Sequence, residues 1–254
     1  MDESFRARVE HSIQDPAVAG FWRDEFGAYD RAFRTVAVAP VQNKVGKLVA
    51  HPPLRAVLGH ARSRLSLARV LDSRQLVVCN LSGSGAAAAN LLGSLYLSGL
   101  IEEAMSRPMG ERAKPFYLVL DESHRFTTES LAVALSEARK FNVGLILAEQ
   151  LIEQSSERLQ LALMGNVGSL MSFRVGAADA EVLEKNLGRE VTAGQLASLD
   201  PYEAIIRTLD GREQVGPLRL SLPPLEARYY GRASIMRQES LRRLSARQKR
   251  SEGF

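Results

Sequence analysis

Asp121 and Glu122 are adjacent carboxylates at the end of the apolar run Phe116-Tyr117-Leu118-Val119-Leu120, which follows Pro115. A run of that length and composition reads as a strand buried on both faces. Two carboxylates at the carboxyl end of a buried strand are costly unless they hold a cation or activate a water. In an open α/β sheet that end also borders the ligand crevice. Apolar run, Asp, Glu is the form of a Walker B motif. There the Asp holds the Mg²⁺ of a nucleotide, usually through water, and the Glu polarises the attacking water. A second run, Val143-Gly144-Leu145-Ile146-Leu147-Ala148, ends in Glu149-Gln150. It predicts a neighbouring strand that brings Gln150 to the same edge, where an amide can orient a water and sense a γ-phosphate. The bland alternative is that Asp121 and Glu122 only cap the helix that follows.

The elements that must position these groups are legible in outline. Leu76-Val77-Val78-Cys79-Asn80-Leu81 predicts a further buried strand, with Cys79 as a packing residue. The next residues, Ser82-Gly83-Ser84-Gly85-Ala86-Ala87-Ala88, fit G-x-G-x-x-A between a strand and a helix over Asn90 to Met105. Dinucleotide binding would need an acidic residue at a following strand end, about 20 positions on. Glu102 and Glu103 fall inside the helix instead, which argues against a dinucleotide-dependent oxidoreductase. His124 has no second histidine or cysteine at metal-ligand spacing, and is expected to pack beside the turn or contact a loop. Helices are predicted over Glu129 to Lys140, Leu151 to Met164, Ala178 to Leu187 and Ala193 to Leu199. Strands are predicted over Ser169 to Val175 and Ala204 to Leu209. Asp210-Gly211 is a two-residue hairpin signal, with the partner strand between Gln214 and Leu222.

The four stretches Leu76 to Ser82, Phe116 to Phe126 (FYLVLDESHRF), Leu135 to Gln150 (LSEARKFNVGLILAEQ) and Gly165 to Ala180 (GNVGSLMSFRVGAADA) together resemble the HerA/VirD4-like ATPases. These are DNA-pumping motors that include the coupling proteins of conjugative type IV secretion. The resemblance runs from Phe5 to about Pro224. It implies an additional-strand RecA-like α/β fold, assembly as a homo-hexamer around DNA, and ATP with Mg²⁺ as cofactors. It implies Asp121 for Mg²⁺, Glu122 as catalytic base and Gln150 as γ-phosphate sensor. From the family pattern Arg174, at the end of its strand, is the expected arginine finger, with Arg158 second. A plain salt bridge is the alternative for either.

One departure is large. The phosphate loop G-x-x-x-x-G-K-[ST] is absent, since Gly46-Lys47 precedes Leu48 and no glycine stands at the required spacing. In the family that loop lies upstream of the region covered here. The expectation is therefore the C-terminal part of such a motor, inactive as an ATPase by itself. A non-hydrolysing remnant or assembly subunit is the alternative.

Three regions are expected: a helical segment over 1–65, the C-terminal part of the ATPase core over 66–224, and a basic tail over 225–254. In the first, Asp15-Pro16 marks a helix start. The stripe Phe21, Trp22, Phe26, Tyr29 and Phe33 reads as a core face in preference to a base-stacking platform, and Pro40 is taken to begin another helix. The tail holds Arg232, Arg237, Arg242, Arg243, Arg247, Lys249 and Arg250 against few acids. It is read as solvated helix or disorder before a nucleic-acid arm. The 254 residues are 45% hydrophobic and 24% charged, ordinary for a globular protein, with net charge +4 mildly favouring an anionic partner such as DNA. No apolar run reaches the ~18 residues that span a bilayer, and MDESFRARVEH carries no signal region. A cytoplasmic location is expected, next to membrane-associated secretion machinery. A single cysteine excludes an intrachain disulfide.

Overall fold

The computed structural model describes residues 3–60, 63, 65–73, 75–109, 113–126, 129–224 and 231–251. The chain divides into two units, Met1–Ala61 and Arg62–Phe254.

The first unit is helical: α1 (Glu3–Ser12), α2 (Pro16–Gly20), a π-helical turn at Phe21–Glu25, α3 (Phe26–Ala28), α4 (Arg31–Ala50) and α5 (Pro52–Leu58). The Asp15 carboxylate accepts from the amides of Ala17 (2.8 Å) and Val18 (3.2 Å), with Pro16 at the first helical position. Both devices satisfy or remove N-terminal donors that lack a helical partner. The aromatic stripe packs on itself, with ring centroids 4.8 Å apart for Trp22–Phe26 and 4.6 Å for Tyr29–Phe33. Only Phe26 is buried; Phe33 is 53% exposed. Pro40 does not begin a helix. It lies inside α4, whose start is set by the Asp30 carboxylate accepting from the Phe33 amide at 2.8 Å.

The second unit has two cores. The first is built on the parallel pair β1 (Phe116–Asp121) and β2 (Val143–Ala148), which run in register from Phe116↔Val143 to Asp121↔Ala148. Helices α6 (Leu67–Asp72), α7 (Ala86–Met105), α8 (Glu129–Glu137) and α9 (Glu157–Asn166) supply Val70, Leu71, Leu97, Leu100, Leu131 and Leu159 against Leu118, Leu120, Leu145 and Leu147. The strand is covered on one face only, contrary to the expectation of burial on both. Tyr117 and Val119 are 69% and 63% exposed, because all four helices pack on the side of Leu118 and Leu120. Tyr117 lies over Gly144 of β2. A Cβ there would come within 2.7 Å of the ring, so the cross-strand pair needs the glycine.

The expected strand at Leu76–Leu81 does not form. Among the described residues the segment has no pairing partner, Leu76 and Val78 are 84% and 72% exposed, and Cys79 is exposed instead of buried. Helix α7 starts four residues earlier than the expected Asn90, at Ala86, directly after Gly85 at φ 81°.

The second core lies under the antiparallel sheet β3 (Leu170–Ser172), β4 (Glu203–Asp210) and β5 (Glu213–Ser221), in the order β3-β4-β5. The Asp210-Gly211 turn joins β4 to β5, with Gly211 in the left-handed region at φ 63°. Helices α10 (Ala177–Leu187) and α11 (Ala193–Ala197) contribute the fully buried Ala180, Leu187 and Leu196. The Thr192 side chain and Gln195 form a reciprocal capping box at the start of α11. Helix α12 (Ala233–Ser251) forms in the basic tail; residues 225–230 of that tail lie outside the described residues. No described helix is long and apolar enough to cross a membrane.

Candidate functional site

Parallel register places Asp121 beside Ala148, so the next residues, Glu122 and Glu149, leave the two strands side by side. Glu122 then turns the chain with φ 54°, a left-handed conformation uncommon for a residue with a Cβ and enriched at functional sites. A 3₁₀ turn follows at Ser123–Phe126.

That turn returns two polar side chains to β2. Ser123 is fully buried, and its hydroxyl donates to Glu149 Oε1. His124 Nδ1 lies 2.7 Å from Glu149 Oε2 and 3.6 Å from Glu122 Oε2. An ionised carboxylate only accepts, so Nδ1 carries the proton and donates to Glu149. Side-chain exposures of 26%, 18% and 13% for Glu122, His124 and Glu149 describe a sheltered cluster at the sheet edge. One oxygen or nitrogen from each lies within 4.8 Å of the others, a donor set that a divalent cation can also use.

Further contacts hold both sides of the edge. Arg125 Nε donates to Asn90 Oδ1 of α7 at 3.1 Å. The Ile152 amide donates to the buried Asp179 of α10, at 3.2 and 3.3 Å from its two oxygens, which fixes the chain just beyond Gln150. Asp121 is exposed and lines a cavity of about 700 Å³ together with Glu122, Arg125 and the loop Ser82–Gly85. The loop is shaped by Asn80 Oδ1, which accepts from the Ser82 amide (2.9 Å) and hydroxyl (2.6 Å), and by Gly83 at φ 82°. A water-accessible carboxylate such as Asp121 suits Mg²⁺ held through its hydration shell.

Of the sequence-predicted site residues, Asp121, Glu122 and Gln150 come to one edge. Gln150 stands exposed one residue past Glu149. Arg174 is exposed just after β3, on the other sheet, and Arg158 is exposed in the first turn of α9. The residue missed by sequence reasoning is Glu149. Its signal was present: a carboxylate ending a strand in register with the Asp-Glu strand meets whatever follows that pair. With it, His124 gains the loop contact expected of it.

In chain order and placement, this is a mixed α/β molecule whose parallel strands end in an acidic edge beside a glycine-containing loop. No family model matches the chain, and no curated protein matches it. Part of it is similar to solved structures. The bacterial conjugative coupling protein TrwB matches with 16% identity and TM-score 0.46, over 56% of this chain and 39% of that one. VirB4 of Thermoanaerobacter pseudethanolicus matches with 16% identity and TM-score 0.42, over 58% and 40%. The genome packaging NTPase B204 of Sulfolobus turreted icosahedral virus 2 matches with 16% identity and TM-score 0.41, over 64% and 73%. The matched part spans about two fifths of TrwB and of VirB4.

Proposed function

We propose that this chain is the C-terminal part of a HerA/VirD4-type ring ATPase that couples ATP hydrolysis to DNA translocation, in conjugative transfer or related DNA processing. The observation that carries the reading is the acidic edge: Asp121 and Glu122 leave β1 beside Glu149-Gln150 of β2, next to the cavity. In the complete motor Asp121 would hold Mg²⁺ through water. Glu122 takes the proton of the attacking water, and Gln150 senses the γ-phosphate. Arg174 reaches the nucleotide of a neighbouring subunit in a homo-hexamer. Bound ATP·Mg²⁺ supplies the phosphoryl group and its charge neutralisation. His124, held by Glu149, stands 3.6 Å from Glu122 at the same edge. The motor works in the cytoplasm against DNA and membrane-associated secretion machinery.

A G-x-x-x-x-G-K-[ST] loop does not occur in this sequence, so the chain by itself lacks the backbone amides and lysine that cradle the β- and γ-phosphates. That feature favours the second reading, a subunit with an assembly role and no hydrolysis. Extending the chain with the in-frame sequence upstream of Met1 separates the two. The extended protein should release phosphate in the presence of duplex DNA, and Glu122→Gln should stop turnover while leaving ATP bound. An extended protein that neither binds nor hydrolyses ATP overturns the motor reading.

A further inference from the structure

Resting on the reading of Gln150 as the γ-phosphate sensor, we propose that the buried Asp179 of α10 is a positioning residue for it. Its carboxylate holds the turn that follows Gln150 and so sets where the Gln150 amide stands at the sheet edge. Gln150 lies between the end of β2 at Ala148 and a 3₁₀ turn at Ile152–Gln154, and it is exposed. Its place is therefore fixed by what grips the chain on either side. Upstream, the Glu149 carboxylate is held by Ser123 and His124. Downstream, the residue that starts the 3₁₀ turn, Leu151, gives it no side-chain cap. Asp179, 27 residues further along the chain, supplies the acceptor instead: the Ile152 amide donates to its two oxygens at 3.2 and 3.3 Å.

The bland role for Asp179 is to favour the start of α10, since a carboxylate in a first turn meets the positive end of the helix dipole. That role needs no burial, because the dipole also acts on exposed carboxylates. Asp179 is only 4% exposed, and among the described residues no Lys or Arg pairs with it. A carboxylate buried without a cation is costly unless it is hydrogen-bonded. The donor that its burial delivers is the Ile152 amide, in a charge-assisted hydrogen bond. The Ile152 side chain packs against the second core as well. Gln160 Nε2 donates to the carbonyls of Ile152 at 2.9 Å and Ser155 at 2.8 Å, so the 3₁₀ turn is held as one piece. Asp179 thereby fixes the whole turn and, through Leu151, Gln150.

Hydrogen exchange in the full chain tests the tie, and turnover of the extended protein tests its purpose. In the unmodified chain the Ile152 amide should exchange more slowly than in unstructured peptide by about tenfold or more. Exchange at the unstructured rate overturns the tie, whatever the variants do. Asp179→Asn keeps an acceptor and should preserve the protection. Asp179→Ala should abolish it while the Leu145 amide of β2 stays protected; Asp179→Ser takes its place if that variant does not fold. In the extended protein Asp179→Ala should lower turnover by about tenfold with ATP binding retained, and Asp179→Asn should recover most of it. Adding Asp179→Ala to Gln150→Ala should lower turnover no further than Gln150→Ala alone, because both changes remove the same placed amide. Losses that multiply overturn the positioning role and leave the sensor reading standing. A Gln150→Ala protein with parental turnover, or an extended protein with none, overturns both.

Discussion

His124 Nδ1 and Glu149 Oε2 lie 2.7 Å apart, joining the turn after β1 to the end of β2. The same Glu149 accepts from the fully buried Ser123 hydroxyl, and its Oε1 lies 3.5 Å from the Ser155 hydroxyl. One carboxylate therefore closes the carboxyl edge of the parallel pair. Replacing it with Leu strands the Ser123 donor in the interior. Glu149→Leu should lower unfolding stability by about 1–3 kcal/mol, the range for a buried polar group left without a partner. Glu149→Gln keeps one acceptor and should lose less. Denaturant titration of both variants checks this, and equal stability of Glu149→Leu and the parent chain refutes the role.

Arg174 sits at the end of β3, on a different sheet from Asp121. If it acts on the nucleotide of a neighbouring subunit, its loss matters only in the assembled ring. In the extended protein, rings that mix Arg174→Ala with Glu122→Gln subunits should regain activity at those interfaces where an intact Glu122 meets an intact Arg174. Absence of recovery in rings shown to be mixed rules out the finger.

The tail forms helix α12, and its one acid among the seven basic residues is already engaged. Glu239 accepts from Arg242 and Arg243 at 2.8 Å each, and these hydrogen bonds hold its carboxyl down at about 2. Phosphate contacts carry no sequence information and weaken as salt rises. Any DNA affinity of this chain should come chiefly from the tail, be independent of sequence and fall steeply with salt. Binding across a salt series, for the full chain and for one ending at Pro224, decides it. Equal affinity and slope in the two would move the contact into the core.

Burial pushes the Tyr96 phenol up to about 12, with the neighbouring Cys79 thiol adding to the shift. A group whose folded pKa is raised contributes stability that is fully present below its unfolded pKa, about 10 for a tyrosine, and is lost as pH rises through the folded value. Between about pH 10 and about 12, stability should fall more steeply in the parent than in Tyr96→Phe. Thermal unfolding across that range measures the difference, and parallel curves for the two proteins would refute it.

The sequence by itself determined the local elements and the order of the acidic edge. The Asp15-Pro16 cap, the Asp210-Gly211 hairpin and both parallel strands rest on short-range chemistry: a side chain capping its own helix, a turn that needs φ > 0, an apolar run. Asp121, Glu122 and Gln150 were readable because each ends or follows such a run. Tertiary structure alone decided what those residues meet. The pairing of Glu149 with Ser123 and His124 spans more than twenty residues of chain and depends on the register of β1 against β2, which no local pattern encodes. The one-sided burial of β1 and the unpaired state of Leu76–Leu81 were illegible for a related reason. An apolar run states that a segment can be covered, whereas the packing of α6 to α9 on a single side settles which face is covered. Pro40 makes the same point in the first unit: its preference for a helix start yields to α4, which the Asp30 cap begins nine residues earlier at Arg31.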